Sequence, residues 1–267
     1  MRSIVKAASV LAFAPWVAVP VAAQTDYYNT GTGRPLRIED AYPVEFRAIE
    51  MNIAPLRLER ARGGVYRWSV HPGVALGLLP RTHLEVGLPL AVVEAAAGAS
   101  RTGIAGVEMG AFHTLNAETS IPAIAVGADV FLPVGSLAGE DAYATFKGIM
   151  TRTLPWARFH VNAELTAGPS IARADSAAGT EHADVSRWLV GLAADKTLPL
   201  RSLLIGGEVF ADQPVDPSAA VAWSAGAGAR FQLTPRWTLD GGLGRRFSGD
   251  DRTWYVTLGS AFAIGIP

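Results

Sequence analysis

From about residue 44 onward the chain alternates between apolar and polar residues almost position by position. The alternation comes in runs of roughly 9–11 residues or more, longer than the five or six usual in a soluble sheet. Residues 156–167 show the pattern plainly. Ala157, Phe159, Val161, Ala163 and Leu165 share one face, and Arg158, His160, Asn162, Glu164 and Thr166 share the other. Residues 221–233 repeat it, with Val221, Trp223, Ala225, Ala227, Ala229, Phe231 and Leu233 opposite Ser224, Gly226, Gly228, Arg230 and Gln232. Strands of this length match the tilted strands of a membrane-spanning barrel. Twelve are expected, near 44–58, 64–78, 82–94, 102–114, 121–132, 143–153, 156–167, 186–196, 202–212, 221–233, 237–246 and 253–264.

The junctions support that reading. Short ones centre on Pro80, Ala117, Pro155, Pro199 and Pro235; long ones span 95–101, 133–142, 168–185, 213–220 and 247–252. Alternation of tight and long connections is outer-membrane topology, with short turns on the periplasmic side, and an even strand count brings both ends of the barrel to that side. A spacing near 40 residues also suggests a β-propeller, but a blade needs four short strands where this chain offers two long ones. Trp68, Trp188, Trp223 and Trp254 follow long junctions, while Trp156 and Trp237 follow short turns, which predicts an outer and an inner aromatic belt. Most apolar faces carry no charge across their middles. Arg152 and Arg245 break parity near strand ends, where a long side chain can snorkel. Pro55 predicts a bulge in the first strand.

The ends add a signal and an extension. Arg2 and Lys6, the apolar stretch Ala7 to Ala14 and the small residues Val21-Ala22-Ala23 predict a cleaved export signal over 1–23. Residues 24–43 are polar, rich in Gly and Thr, and lack alternation; they are read as an N-terminal extension able to plug the lumen. The barrel itself occupies 44–267. The chain has no cysteine, so disulfides, thiolate metal sites and cysteine nucleophiles are excluded. Net charge is −1, and −3 once Arg2 and Lys6 are removed, which argues against nucleic acid as a partner and leaves the lipid bilayer and an unidentified small solute. No Gly-x-x-x-x-Gly-Lys phosphate loop occurs, and no cofactor or metal is called for.

Gly77-Leu-Leu-Pro-Arg-Thr-His-Leu-Glu-Val-Gly-Leu-Pro-Leu90, Gly103-Ile-Ala-Gly-Val-Glu-Met-Gly110 and Leu132-Pro-Val-Gly135 resemble successive signatures of a family of outer-membrane β-barrel transporters associated with phenol-degradation pathways. The resemblance is clearest over about 70–135. It implies the barrel and a bacterial outer-membrane location but brings no catalytic or binding motif. Where the family commonly has an Asp, this chain has Gly106.

The lumen face is expected to carry mixed charge, including Arg67, His71, His83, Glu85, Glu108, Asp129, Lys147, Asp195, Asp212, Asp240 and Arg246. Arg158, His160, Glu164, Arg187, Glu208 and Arg230 are the lumen candidates for solute or ion selectivity. The Arg158-x-His160-x-Asn162-x-Glu164 ladder reads either as a constriction or, more simply, as a charge ladder bracing neighbouring strands. His71 and His83 are expected to face each other across the 79–81 turn, half a metal site with Glu85. Lumen glycines at 73, 77, 87, 106, 110, 226, 228, 242 and 244 either relieve crowding, the simpler account, or leave room for a plug. The expected function is passive passage of small solutes through a narrow charged lumen. Two alternatives stand beside it: an outer-membrane hydrolase, although Ser186 and Ser260 have no histidine in the same belt and no Gly-x-Ser-x-Gly occurs, or a closed structural or adhesive barrel acting through loop 168–185.

Overall fold

The computed structural model describes Thr30 and residues 33–60, 66–94, 100–169, 185–198, 202–214, 218–249 and 252–266. The export signal and nearly all of loop 168–185 lie outside the described residues. Alternation along the chain becomes fifteen strand segments: β1 (Ala48–Arg60), β2 (Tyr66–Val70), β3 (Gly73–Leu79), β4 (Thr82–Gly87), β5 (Leu90–Glu94), β6 (Ser100–Ile104), β7 (Val107–Thr114) and β8 (Ala123–Leu132), then β9 (Tyr143–Thr153), β10 (Arg158–Ala167), β11 (Ser186–Thr197), β12 (Leu203–Pro214), β13 (Ala222–Thr234), β14 (Trp237–Arg246) and β15 (Trp254–Gly265). All pair antiparallel in one sheet, and β1 closes onto β15. Three of the barrel's twelve staves are each two segments: β2 with β3, β4 with β5, and β6 with β7. The barrel is therefore a closed, twelve-stranded antiparallel one.

The three breaks lie side by side, and proline causes two of them. Pro72 and Pro89 have no N–H to give to the ladder. The Leu88 N–H instead reaches the Pro72 carbonyl at 2.9 Å, and the Ala105 N–H the Pro89 carbonyl at 2.8 Å. Gly106 follows at φ +149°, and a Cβ there would run into the Phe131 ring. These kinks were not anticipated; the sequence reading drew each stave unbroken. The first strand also begins four residues later than expected, at Ala48, and its register shifts between Ile53 and Leu56, bracketing the bulge expected at Pro55.

The two faces follow the alternation. Val86, Met109, Val126, Phe146, Leu165, Val190, Leu192, Val209, Leu243, Val256 and Leu258 are exposed outward, an apolar surface no soluble monomer would carry. The barrel lies in the bacterial outer membrane, and its tight turns mark the periplasmic end. Trp223, Trp254, Trp156 and Trp237 are exposed on this face at the two rims. The interior is less uniformly polar than expected. Phe112, Ala123, Ala125 and Ile149 form one apolar cluster inside, and Leu189, Ala193 and Phe210 form another.

Candidate functional site in the barrel lumen

Both interior clusters exist because something packs on them. Leu36 and Ile38 are buried against Leu189, Ala193 and Phe210, while Ala41 and Tyr42 join the Phe112 cluster. Residues of the N-terminal extension thus lie inside the barrel. The segment doubles back on itself: the Asp40 N–H reaches the Thr30 carbonyl at 3.0 Å, and the Thr30 N–H reaches the Asp40 carboxylate at 2.9 Å.

Charge matches between segment and wall hold it there. Arg34 pairs with Asp240 at 2.9 Å, Arg37 with Glu164 at 2.7 Å, Glu39 with Lys147 at 3.2 Å and Asp40 with Arg158 at 3.7 Å. The wall also satisfies the segment's backbone. Glu208 accepts the Ile38 N–H at 2.9 Å, Thr151 accepts the Ala41 N–H at 2.9 Å, and Arg230 donates to the Arg34 carbonyl at 2.9 Å. Asn162, its amide oriented by its partners, accepts the Glu39 N–H at 2.8 Å and donates to the Glu39 carbonyl at 2.9 Å. Burial works to raise the Glu39 carboxyl, but Lys147 and Arg37 outweigh it and hold that group below the ordinary carboxylate range.

Glycine supplies the room. Gly228 and Gly242 are register partners on β13 and β14, and Pro35 sits over both. A Cβ on Gly228 would lie 2.7 Å from the Pro35 Cβ, and one on Gly242 would lie 2.5 Å from the Pro35 carbonyl oxygen. Gly191 and Gly206 make way for Ile38 and Leu36 in the same fashion, and Gly77 for the Glu45 backbone. These positions form the bed of the segment, whereas Gly87, Gly106, Gly110, Gly226 and Gly244 make room for side chains of the wall itself, in keeping with relief of crowding.

At the periplasmic rim the segment is latched. The Tyr42 hydroxyl donates to Glu118 at 2.8 Å, in the turn between β7 and β8, and Glu118 also accepts the Thr153 N–H at 2.6 Å and the Thr153 hydroxyl at 2.8 Å. Burial and the Glu118 hydrogen bond push the Tyr42 phenol up to about 12. Burial alone would raise Glu118, but the Thr153 and Tyr42 donors and Arg152 leave its carboxyl below its ordinary value.

Most of the expected selectivity residues thus meet the segment. Arg158, Glu164, Glu208 and Arg230 touch it directly. His160 is fully buried beneath it, bridging the Thr151 hydroxyl and the Asp195 carboxylate at 2.9 Å each, and Asp195 in turn pairs with Arg158 at 2.8 Å. Arg187 lies at the outer end of β11, where pairing with β12 shifts register. The Thr151–His160–Asp195 run has the order of a hydrolase triad, but the Thr151 oxygen is engaged by Ala41 and the imidazole is sealed from any substrate. The expected histidine pair does not form. Register sets His83 opposite Gly77; His83 accepts the Val44 N–H at 3.1 Å, while His71 lies 3.2 Å from Glu108. Among the described residues no group of three metal-ligating side chains occurs.

Space remains on the side of the lumen away from the segment's seat. An outer cavity of about 160 Å³ is bounded by Arg37, Arg57, His71, Leu90, Phe131 and Tyr143, the last two stacked with ring centres 4.7 Å apart. An inner cavity of about 60 Å³ lies toward the periplasm, bounded by Asp40, Tyr42, Asn52, His83 and Phe112. Glu39, Glu85, Asp129 and Lys147 border both. Lys147 spans the point between them, 2.7 Å from Asp129 and 3.2 Å from Glu39. Sequence reasoning put Lys147, Glu85 and Asp129 on the lumen face, singling out Glu85 only as a metal-site partner of His71 and His83.

The family described as "Putative MetA-pathway of phenol degradation" matches residues 62–264. In structure the chain is similar to the COG4313 outer membrane channel from Pseudomonas putida F1, at 12% identity and a TM-score of 0.59, covering 84% of this chain and 98% of that one. It is also similar to the translocator domain of autotransporter NalP from Neisseria meningitidis, at 11% identity and a TM-score of 0.50, covering 82% and 88%. At these identities the likeness is one of fold. No curated protein matches the chain in sequence.

Proposed function

The chain belongs to the family of the phenol-degradation MetA pathway, and we propose that it is an outer-membrane channel for passive passage of small solutes, closed at rest by its own N-terminal segment. The observation that carries this reading is the pair of cavities in series, separated by the Glu39–Lys147–Asp129 contact. A solute entering from outside would rest in the outer cavity and pass when that contact opens. At about 160 Å³ the outer cavity suits a solute of about one ring, since an apolar cavity of roughly 150 Å³ takes up benzene. A phenol-sized molecule meets that limit. The Phe131–Tyr143 stack offers it an apolar wall, and Arg37, His71 and Glu108 offer partners for a hydroxyl. Catalysis is not part of the reading, because the triad-like run found among the described residues is sealed under the segment.

Lys147→Gln tests it. Removing the cation that borders both cavities leaves Glu39, Glu85 and Asp129 facing one another. Single-channel recording of the folded variant in planar bilayers should show larger steps and a shift toward cation selectivity. Steps and selectivity identical to those of the parent would refute the proposed path.

A further inference from the structure

The outermost lipid-facing positions of four neighbouring strands form one row. Arg60, at the end of β1, pairs with Trp254 on β15, and Trp254 pairs with Arg245 on β14. On the other side Arg60 pairs with Tyr66, the first residue of β2. All four side chains are exposed, on the same face as Val256 and Leu243, whereas their neighbours Glu59, Tyr255 and Gly244 turn inward. Strands about 4.8 Å apart place the two arginine Cα atoms roughly 10 Å from each other, with the indole between them.

Both guanidiniums are held by rings. Arg245 lies 5.0 Å from the centre of the Trp254 ring, and Arg60 lies 5.9 Å from that of Tyr66. Stacking engages the guanidinium faces and leaves the edge N–H donors for an anion. Among the described residues neither arginine takes part in an ion pair or a hydrogen bond. Two cations of the periplasmic rim are engaged by the protein instead: Arg152 donates to the Thr119 carbonyl and lies 3.6 Å from Glu118, and Lys196 donates to the Pro155 carbonyl at 2.9 Å. Two adjacent cations on a lipid-facing surface, at the level of the headgroups and with no anion paired to them among the described residues, are matched by an anion of the membrane itself.

We propose that Arg60 and Arg245 together bind the phosphate of a lipid headgroup in the outer leaflet, with Trp254 as the floor of the site. Because Arg60 lies on β1 and Arg245 on β14, with β15 between them, the bound headgroup spans the seam where the first and last strands close the barrel. Binding therefore also resists opening of that seam.

The test uses the full folded chain in detergent micelles, followed by native mass spectrometry with bis-phosphorylated lipid A, its dephosphorylated form and inorganic phosphate. The parent should retain one phosphorylated lipid A and raise its heat-modifiable gel transition when it is bound. In the double variant R60Q/R245Q, affinity should fall about thirtyfold, the equivalent of ~2 kcal/mol for two basic residues at a membrane surface. Each single variant should lose about fivefold, so the proposal stays testable if the double variant folds poorly. Lys196→Gln, at the other rim, should bind as the parent does. Parent-like retention in the folded arginine variants would overturn the proposal, as would equal retention of dephosphorylated lipid A. Displacement of the lipid by an equal concentration of inorganic phosphate would also overturn it, marking an anion site without preference for lipid.

Discussion

Filling the bed under Pro35 should release the N-terminal segment while leaving the barrel intact. In the double variant Gly228→Ala, Gly242→Ala the new methyl groups enter space now held by Pro35, 2.7 Å from its Cβ and 2.5 Å from its carbonyl oxygen. Contacts so close require movement, and the segment is the side that can move. On the wall, the Gly241 and Ala227 carbonyls, at 3.1 Å from the first methyl and 3.2 Å from the second, need give only slightly, and the Thr257 hydroxyl, 2.9 Å from the second, must turn aside by a side-chain rotation. Overpacking of this kind costs about 1–3 kcal/mol per site, so the docked state should lose roughly 2–6 kcal/mol. That is a shift of about thirtyfold or more toward release. The barrel should not suffer, because alanine in a strand is favoured over glycine by about 0.5–1 kcal/mol. Two readouts follow the segment: tryptic cleavage at Arg37, which in the parent is buried against Glu164, and single-channel conductance. Faster cleavage and larger steps are expected from a chain with an unchanged heat-modifiable gel shift. A folded double variant with parental protection and conductance would refute the argument that these glycines seat the segment.

Other perturbations separate seat, latch and membrane surface. Arg158→Ser with Arg230→Ser removes two of the wall's grips on Asp40 and the Arg34 carbonyl, so conductance should rise along with a shift toward cations, recorded in asymmetric salt. Unchanged selectivity and step size would remove these arginines from any role in passage. Glu118 is held below its ordinary value of 4.5, so the stability it lends the latch is present above that value and lost as pH falls through its lower, folded value. Acidification below about pH 4.5 should therefore speed cleavage of the segment by pepsin, which is active in that range; Tyr42→Phe should be cleaved faster by trypsin at neutral pH and show less of the acid dependence. Val190→Arg places a charge on the lipid face and should destabilise folding in vesicles by about 2–4 kcal/mol, measured by urea titration, without altering selectivity.

The barrel was legible because each strand's alternation is a local record of its two environments. The tryptophans at strand ends and the contrast of tight and long junctions supplied its orientation. The breaks at Pro72 and Pro89 were visible as residues but not as a shared kink, because only pairing shows that they lie side by side. The seat of the N-terminal segment was harder still. Gly228 and Gly242 read more simply as relief of crowding, since nothing near them in sequence announces Pro35, about two hundred positions away. The Arg158–Glu164 ladder was placed on one face, and Arg158 and His160 do brace a neighbouring strand through Asp195, but Asp40, Glu39 and Arg37 also meet the ladder, from a segment without periodicity. His71 and His83 failed as a pair for a simple reason of counting: a tight turn sets residue 83 against 77, not 71. Lys147 stood out least in sequence, one cation among many, and gains its place only from the two cavities it divides.

Closure of the channel by its own N-terminus is tested most directly by recording single-channel conductance of the mature chain beside one lacking residues 24–42, both refolded and both passing the heat-modifiable gel shift. The intact chain should be silent or open in brief, small steps, and the shortened chain should show frequent, larger and discrete ones. Equal conductance in the two would contradict it.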